Sequence, residues 1–476
     1  MGPVLNPDPA ADAAARQAAA DAFAACVRRV VAAQWQDLAA PVRRRAAMIV
    51  ADDVSAAFSA LDEPQVAQAR QVMLARPPQG GASLLAPHAP GVGPYAAATQ
   101  NALAMGWNEL DEGYRKAVCH GGLYVLPALM ATAEQERASA SDVLHALVLA
   151  YELVTRVARA WRFTPMRIHP HALLAPVGAA AGVAILRRLP PDTVLSAVAG
   201  ACSMGMAGPF NQALQGVLVR NAWAAQGAAM GMLAVEQAQA GIGGSACTPY
   251  DVYVTALGAA TDLAAFHDEG EWAVAYGYQK INACCQYAHS AIEAVQALIA
   301  GDASLLGGDR VTAIRVLAHP LAHGLDNREP TTTLGAKFSL PHAVAAAVVH
   351  GHGGATAFDS ASLADPRIAR LRRLVSLQPF PDPRPWPLDR PATVALETAD
   401  GTLEQTCWSA RGGPDQPFDD QDVWSKIESL CRGQAPQAPR VLHALVDMAA
   451  GQAQVPPGVP PLHGPWHEWM QALTAA

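Results

Sequence analysis

A chain of 476 residues, 51% of them hydrophobic, is long enough for more than one buried core, and that balance excludes a disordered protein. Aromatic residues supply only 6% while Ala, Leu and Val dominate, which favours closely packed helices over sheets. With 33 basic against 41 acidic residues and a net charge of −8, no broad cationic face exists for a phosphate backbone, and nucleic acid is excluded as a partner.

The first twenty residues lack a basic run followed by an apolar core, so no secretory leader is expected and a cytoplasmic location follows. The cysteines, among them Cys26, Cys119, Cys202 and the pair Cys284-Cys285, show no CxxC spacing, as expected of reduced thiols without structural zinc. From about Ala11 to Ala265 the pattern is a succession of Ala/Leu/Val-rich helices, clearest over 127–136, 141–161, 171–188 and 222–239. The run Ser139-Ala140-Ser141-Asp142 is a helix start. Residues 193–219 carry no charge, but Gly200, Gly205, Gly208, Pro209, Asn211, Gln212 and Gln215 break the stretch. A buried helix pair joined at Gly208-Pro209 is expected there rather than a membrane span. Helices with so few charges must be covered on nearly all sides, which predicts a homodimer interface beside the core.

After Tyr276 the character changes. Residues 311–318 alternate like a strand, and 392–408 read as two strands around Asp400-Gly401. The proline-crowded 379–391 is a loop, and a helix returns over 419–431. The fold class is therefore mainly α: a large all-helical domain over 1–275, a smaller α+β domain over 276–413, and C-terminal helices over 414–476 that rejoin the first domain.

No GxGxxG follows a strand, and GxxxxGK[ST], HExxH and GxSxG are absent, so no nucleotide cofactor, no metal and no common serine-hydrolase elbow is expected. The residues left to carry chemistry are ionisable groups set in apolar, glycine-punctuated sequence. Residues 108–116, with Glu109, Asp111 and Arg115, lead into His120-Gly121-Gly122 at the mouth of an apolar helix. Glycines beside a histidine admit another molecule, and a helix N-terminus favours an anion. His169, just before Pro170, is held extended and aimed away from the helix it precedes. Arg220 is the first charge after the uncharged run and needs an anionic partner, from the protein or from a carboxylate substrate. Lys280 stands at the domain junction, where it can reach a cleft, with Cys284-Cys285 and His289 just after it. Each segment also has a bland reading as a charged loop, a helix cap or a solvated lysine.

Taken in order, these segments resemble the MmgE/PrpD family, whose members include 2-methylcitrate dehydratase, cis-aconitate decarboxylase and iminodisuccinate epimerase. The resemblance spans about Ala96 to Pro417. It rests on Glu109-Leu110-Asp111-Glu112-Gly113, His120-Gly121-Gly122, His169-Pro170, Arg220-Asn221, Lys280 with Cys284-Cys285 and His289, and Lys337-Phe338-Ser339. It implies a helical domain with an α+β lid, a homodimer, no cofactor and a small polycarboxylate substrate. By position, His120 and His169 match the family's active-site histidines and Lys280 its lid lysine, with Asp111 in the acidic loop. Glu109, Arg115, Arg220, His289 and Lys337 are then candidates for holding carboxylates. Two departures stand out: Gly113, where decarboxylases of the family have Thr, and Gly216-Val217, where they have Lys-Pro. The expected reaction is proton abstraction α to a carboxylate in a dehydratase-like hydro-lyase. Decarboxylation, epimerisation and a non-catalytic acid-binding dimer are the alternatives. Lys280, taken as an exposed cleft lysine, is expected to matter for turnover and not for folding.

Overall fold

The computed structural model describes residues 9–76, 80–267, 269–452 and 455–475. The leader reading and the start of the 1–275 domain fall in part on residues 1–8, outside the described residues.

The helix Pro170–Leu186 forms the centre of the larger half. Its sequence is almost entirely Ala, Gly, Val and Leu, and every residue but Ile185 is buried. Helices Gly121–Glu136, Ala140–Ala160, Pro191–Ser203 and Val219–Gln239 pack around it. Small residues make this approach close: Gly227 and Gly231 lie directly against Ala175 and Ala179. The start at Ser139 has the expected form, since its hydroxyl accepts from the Asp142 N–H while the Asp142 carboxylate accepts from the Ser139 N–H.

Two expectations need correction. The helix expected from Pro127 starts six residues earlier at Gly121, because a proline in a first turn and one inside a helix carry the same local signal. The uncharged run does not form a helix pair at Gly208-Pro209. Pro191–Ser203 is followed by irregular chain, a single turn at Asn211–Leu214, and then Val219–Gln239. Among the described residues no helix is long and apolar enough to cross a membrane.

The smaller half carries a four-stranded sheet in the order Val375–Pro379, Ala313–Ala318, Ala392–Thr398, Gly401–Cys407. The first pair is parallel and the other two antiparallel, with the last two strands joined by a tight turn at Ala399-Asp400. Val375–Pro379 was not legible as a strand, having Pro at its end and half-exposed residues between. Helices His289–Gly301, Leu340–His350 and Pro366–Leu374 build its core with Val316, Val394 and Leu396. The chain then returns: Asp420–Cys431 and Ala438–Ala449 pack on Ala40–Ser59, and Trp466–Thr474 on Gly121–Glu136. Two hydrophobic cores result, one largely helical and one built on the sheet.

Candidate active site

Between the two cores, Glu109, His120, His169, Arg220, Tyr278 and Lys280 line a cavity of about 40 Å³. That is room for a few waters, well under the ~300 Å³ where small-molecule sites begin. The acidic loop that enters it is irregular, with Glu109 at φ 54°, a left-handed conformation costly for a side chain with a Cβ. Three buried contacts hold the loop there. Lys426, from the C-terminal helices, reaches the Leu110 carbonyl at 2.7 Å and Asp52 at 2.6 Å. Lys337 donates to the Trp107 carbonyl at 3.1 Å and Asn108 Oδ1 at 2.8 Å. The Glu112 N–H donates to Asp53 Oδ1 at 2.8 Å.

His120 is the residue before the helix Gly121–Glu136. Its Nδ1 lies 2.7 Å from Asp111 Oδ2 and 3.1 Å from the Glu112 carbonyl oxygen. Both neighbours are acceptors, so Nδ1 carries the hydrogen and the Nε2 lone pair is left for the cavity. The carboxylate that fixes the tautomer is itself stabilised. Burial pushes the Asp111 carboxyl up, but Lys280 and His120 outweigh burial and hold it below its ordinary value. Glu109 behaves alike: burial is opposed and overcome by Arg220 and Lys280.

Lys280 Nζ lies 3.5 Å from Asp111 Oδ1 and 3.7 Å from Glu109 Oε2. Burial lowers its affinity for the proton, yet the two carboxylates raise it further, so Lys280 stays an ammonium. It is 1% exposed. The expectation of an exposed lysine that is neutral for folding is therefore overturned: deleting it leaves buried Asp111 to His120 and buried Glu109 to Arg220, without the cation between them.

His169 is placed differently. Arg220 donates to Glu109 Oε1, and its Nε lies 3.2 Å from His169 Nε2. His169 Nδ1 meanwhile faces the His171 N–H at 3.2 Å. A neutral imidazole has one lone pair and can accept from only one of these donors. Burial, then the Arg220 charge, push His169 well below its ordinary value, so it is neutral. Behind it His171 is also held neutral by burial, takes a 2.8 Å contact from the Tyr124 hydroxyl, and leaves Nε2 buried with no hydrogen-bond partner among the described residues.

Not every expected residue reaches the cavity. Arg115 turns away to Asp389 at 2.6 Å. His289 begins the helix His289–Gly301, sits 3.2 Å from the Cys284 carbonyl, and is pushed down to about 3 by burial and then by Lys280. Lys337 braces the loop from behind and is pushed down to about 8 by burial. The glycines after His120 admit no ligand; a Cβ at Gly121 or Gly122 would collide with Tyr151 or Asp53 of the same chain.

Both departures have a physical reason. Gly113 pairs with Tyr278 across a short antiparallel ladder, and a Cβ at 113 would lie 2.5 Å from the Tyr278 hydroxyl. Gly113 thus makes the room that lets Tyr278 line the cavity. Gly216 has φ +70°, and a Cβ there would meet Thr332 Oγ1 at 2.4 Å; that hydroxyl donates to the Gly216 carbonyl at 2.8 Å. Among the lining residues that had no role in the sequence reading are Tyr278, two positions before Lys280, and Arg390, hidden in the proline loop. Among the described residues no group of three or more His, Cys, Asp or Glu side chains could hold a metal ion.

The MmgE/PrpD N-terminal domain model matches residues 25–251 and the MmgE/PrpD C-terminal domain model matches residues 283–448. The chain belongs to the MmgE/PrpD family. It is 24% identical over 431 residues to the cis-aconitate decarboxylase-like protein oryM of Aspergillus oryzae, covering 83% of this chain and 87% of the relative. In this MmgE/PrpD chain the N-terminal model supplies Glu109, Asp111, His120, His169 and Arg220, while Lys280, Tyr278 and Arg390 lie beyond its end. The cavity is thus walled from both parts of the chain.

Proposed function

We propose that this protein is a lyase that abstracts the proton α to a carboxylate of a small polycarboxylate, in the manner of a 2-methylcitrate dehydratase-like hydro-lyase. The observation that carries the reading is the Asp111–His120 pair, an imidazole held by a buried carboxylate in a cavity that Lys280 also lines. His120 Nε2 takes the proton, and the charge that develops on the carboxylate is stabilised by the Lys280 ammonium and the Arg220 guanidinium. His169, neutral and facing Arg220, positions that guanidinium. The leaving hydroxyl takes its proton from Tyr278, a neutral hydroxyl group of the cavity wall. Since the cavity holds only a few waters, the α+β half moves to admit substrate and closes over it.

The test is incubation with citrate and 2-methylcitrate. A hydro-lyase gives an alkene absorbance without gas. Decarboxylation, the second reading, is favoured by the likeness to the cis-aconitate decarboxylase-like protein of Aspergillus oryzae; it gives carbon dioxide from cis-aconitate. Label from D2O entering recovered substrate with neither product marks an epimerase and overturns both. The working unit is a homodimer. Val217, Val219, Met230, Leu233 and Ile242 are exposed along and beside the helix Val219–Gln239, an apolar stripe that a second copy would cover. A monomer by light scattering at micromolar concentration would refute this.

A further inference from the structure

The cations already assigned to the cavity are matched within the chain. Arg220 is bound to Glu109, and Lys280 lies between Asp111 and Glu109, so two positive charges meet two negative ones. A polycarboxylate enclosed here brings further negative charge, and buried charge needs a partner. The balance differs on the wall that the smaller half supplies, where Gln286, Tyr287 and Arg390 line the same cavity. There Arg115 holds Asp389 at 2.6 Å, while Arg390 Nε stands off from the same carboxylate at 3.7 Å. Within ion-pair distance two guanidiniums thus share one carboxylate. Burial first, and then Arg390, hold Arg115 below its ordinary value; Asp415 attracts Arg115 from further away and is itself bound by the Ser409 hydroxyl at 2.6 Å.

Two donors on this wall are also unused. Arg390 and Tyr287 are each only 7% exposed, yet Arg390 Nε and the Tyr287 hydroxyl have no hydrogen-bond partner among the described residues. A buried donor left unmet is costly, and a ligand that meets it removes the penalty. Burial pushes the Tyr287 hydroxyl up to about 12 against the pull of Arg390, so it keeps its proton to donate. Both side chains are held in place. The Ser290 hydroxyl donates to the Arg390 carbonyl at 2.6 Å, Gln286 Oε1 accepts from the guanidinium, and the guanidinium carbon lies 5.2 Å from the centre of the Tyr287 ring. Resting on the lyase reading, we propose that Arg390 and Tyr287 form a second anion subsite of the cavity, which binds the substrate carboxylate farthest from the carbon that loses its proton. Lys280 and Arg220 act on the charge that develops at that carbon, and Arg390 sets the preference for an acid with a further carboxylate over one without it. Tyr287 and Arg390 also border the larger space next to the cavity, which places the subsite where a longer acid extends.

Tricarballylate and 2-methylsuccinate test this on the full-length protein. The second keeps two carboxylates on adjacent carbons and lacks the far one, and neither has a hydroxyl to lose, so both report binding alone. Calorimetry at neutral pH should give tricarballylate about tenfold to a hundredfold the affinity of 2-methylsuccinate, as expected of hydrogen bonds to a charged group. Arg390→Met should erase that preference and leave 2-methylsuccinate within about threefold of the parent, and Tyr287→Phe should cut the preference by about fivefold. A merely structural role for Arg390 would weaken both acids alike. A preference missing from the parent, or one that persists in Arg390→Met, overturns the subsite; if Arg390→Met fails to fold, Tyr287→Phe, which removes one oxygen, decides. In turnover of 2-methylcitrate, Arg390→Met should raise KM by about tenfold or more and change kcat by less than about threefold. Should the two acids bind as expected while citrate and 2-methylcitrate give no alkene, the subsite stands and the lyase reading falls. Should alkene form with KM unmoved by Arg390→Met and no preference between the acids, the lyase reading stands and the subsite is overturned.

Discussion

The two histidines that open the cavity begin two neighbouring helices in the same way, yet their surroundings divide the chemistry between them. On the His120 side a carboxylate fixes the ring and leaves a lone pair toward the cavity. On the His169 side the neighbour is a guanidinium, burial is complete, and the ring is driven neutral with its nitrogens facing donors. Sequence position alone makes the pair look equivalent. Charge next to each ring, not the ring itself, separates the proposed base from the proposed positioning residue.

The comparison is most exposed to single substitutions of the two rings. His120→Gln should lower kcat by about three to four powers of ten, the upper range for a positioned general base. His169→Gln should cost about tenfold, mostly in KM, because it only loosens Arg220. Equal losses in kcat would mean that both rings transfer protons.

Lys280→Met should lower turnover by about two powers of ten or more through loss of charge stabilisation. It should also destabilise the fold by about 3 kcal/mol or more, since Asp111 and Glu109 stay buried without their shared cation. Denaturant unfolding beside kinetics separates the two effects, and an unchanged midpoint would contradict the pairing. The charge set was legible in part. The order of Glu109, Asp111, His120, Arg220 and Lys280 pointed to one site, because each is an ionisable residue in apolar sequence. Its internal pairing was not, since nothing in a one-dimensional spacing places Lys280 between two carboxylates 169 and 171 residues away. Arg115, His289 and Lys337 look just as catalytic in sequence and serve as braces. The helical half was read from its Ala-rich runs, whereas the parallel strand Val375–Pro379 was missed because its pairing is entirely long-range.

Gly113→Thr probes what the cavity wall adds to the His120 side. The new side chain displaces the Tyr278 ring, so dehydration should fall by about tenfold to a hundredfold as a proton donor leaves its place. Deuterium exchange at the α carbon, which does not need Tyr278, should survive. Loss of both would show that the substitution disrupts the loop instead.

The last effect concerns pH and is read in stability, not in turnover. Burial first, and then Asp111 among its neighbours, push the Glu112 carboxyl up to about 7 against Gly122 and Tyr151 contacts that pull it down. The folded protein therefore keeps a proton that the unfolded chain releases. Stability from this group is complete below its ordinary value of 4.5 and is lost as pH rises through about 7, an effect of roughly 3 kcal/mol. Asp111 and Glu109, held low, act oppositely and lose their contribution only in acid. Glu112→Gln should then gain stability relative to the parent between pH 5 and pH 8. A difference independent of pH in thermal melts would refute the assignment.

Lys426 gives the molecule an order of assembly. Its ammonium clamps the Leu110 carbonyl from a helix made near the end of the chain. During synthesis Glu109, Asp111 and His120 emerge early, and Asp53 and then Lys337 can brace the loop that aims them, but its Lys426 clamp is missing until the ribosome has passed residue 431. A chain terminated before Lys426 therefore carries these side chains without one of the contacts that set the loop.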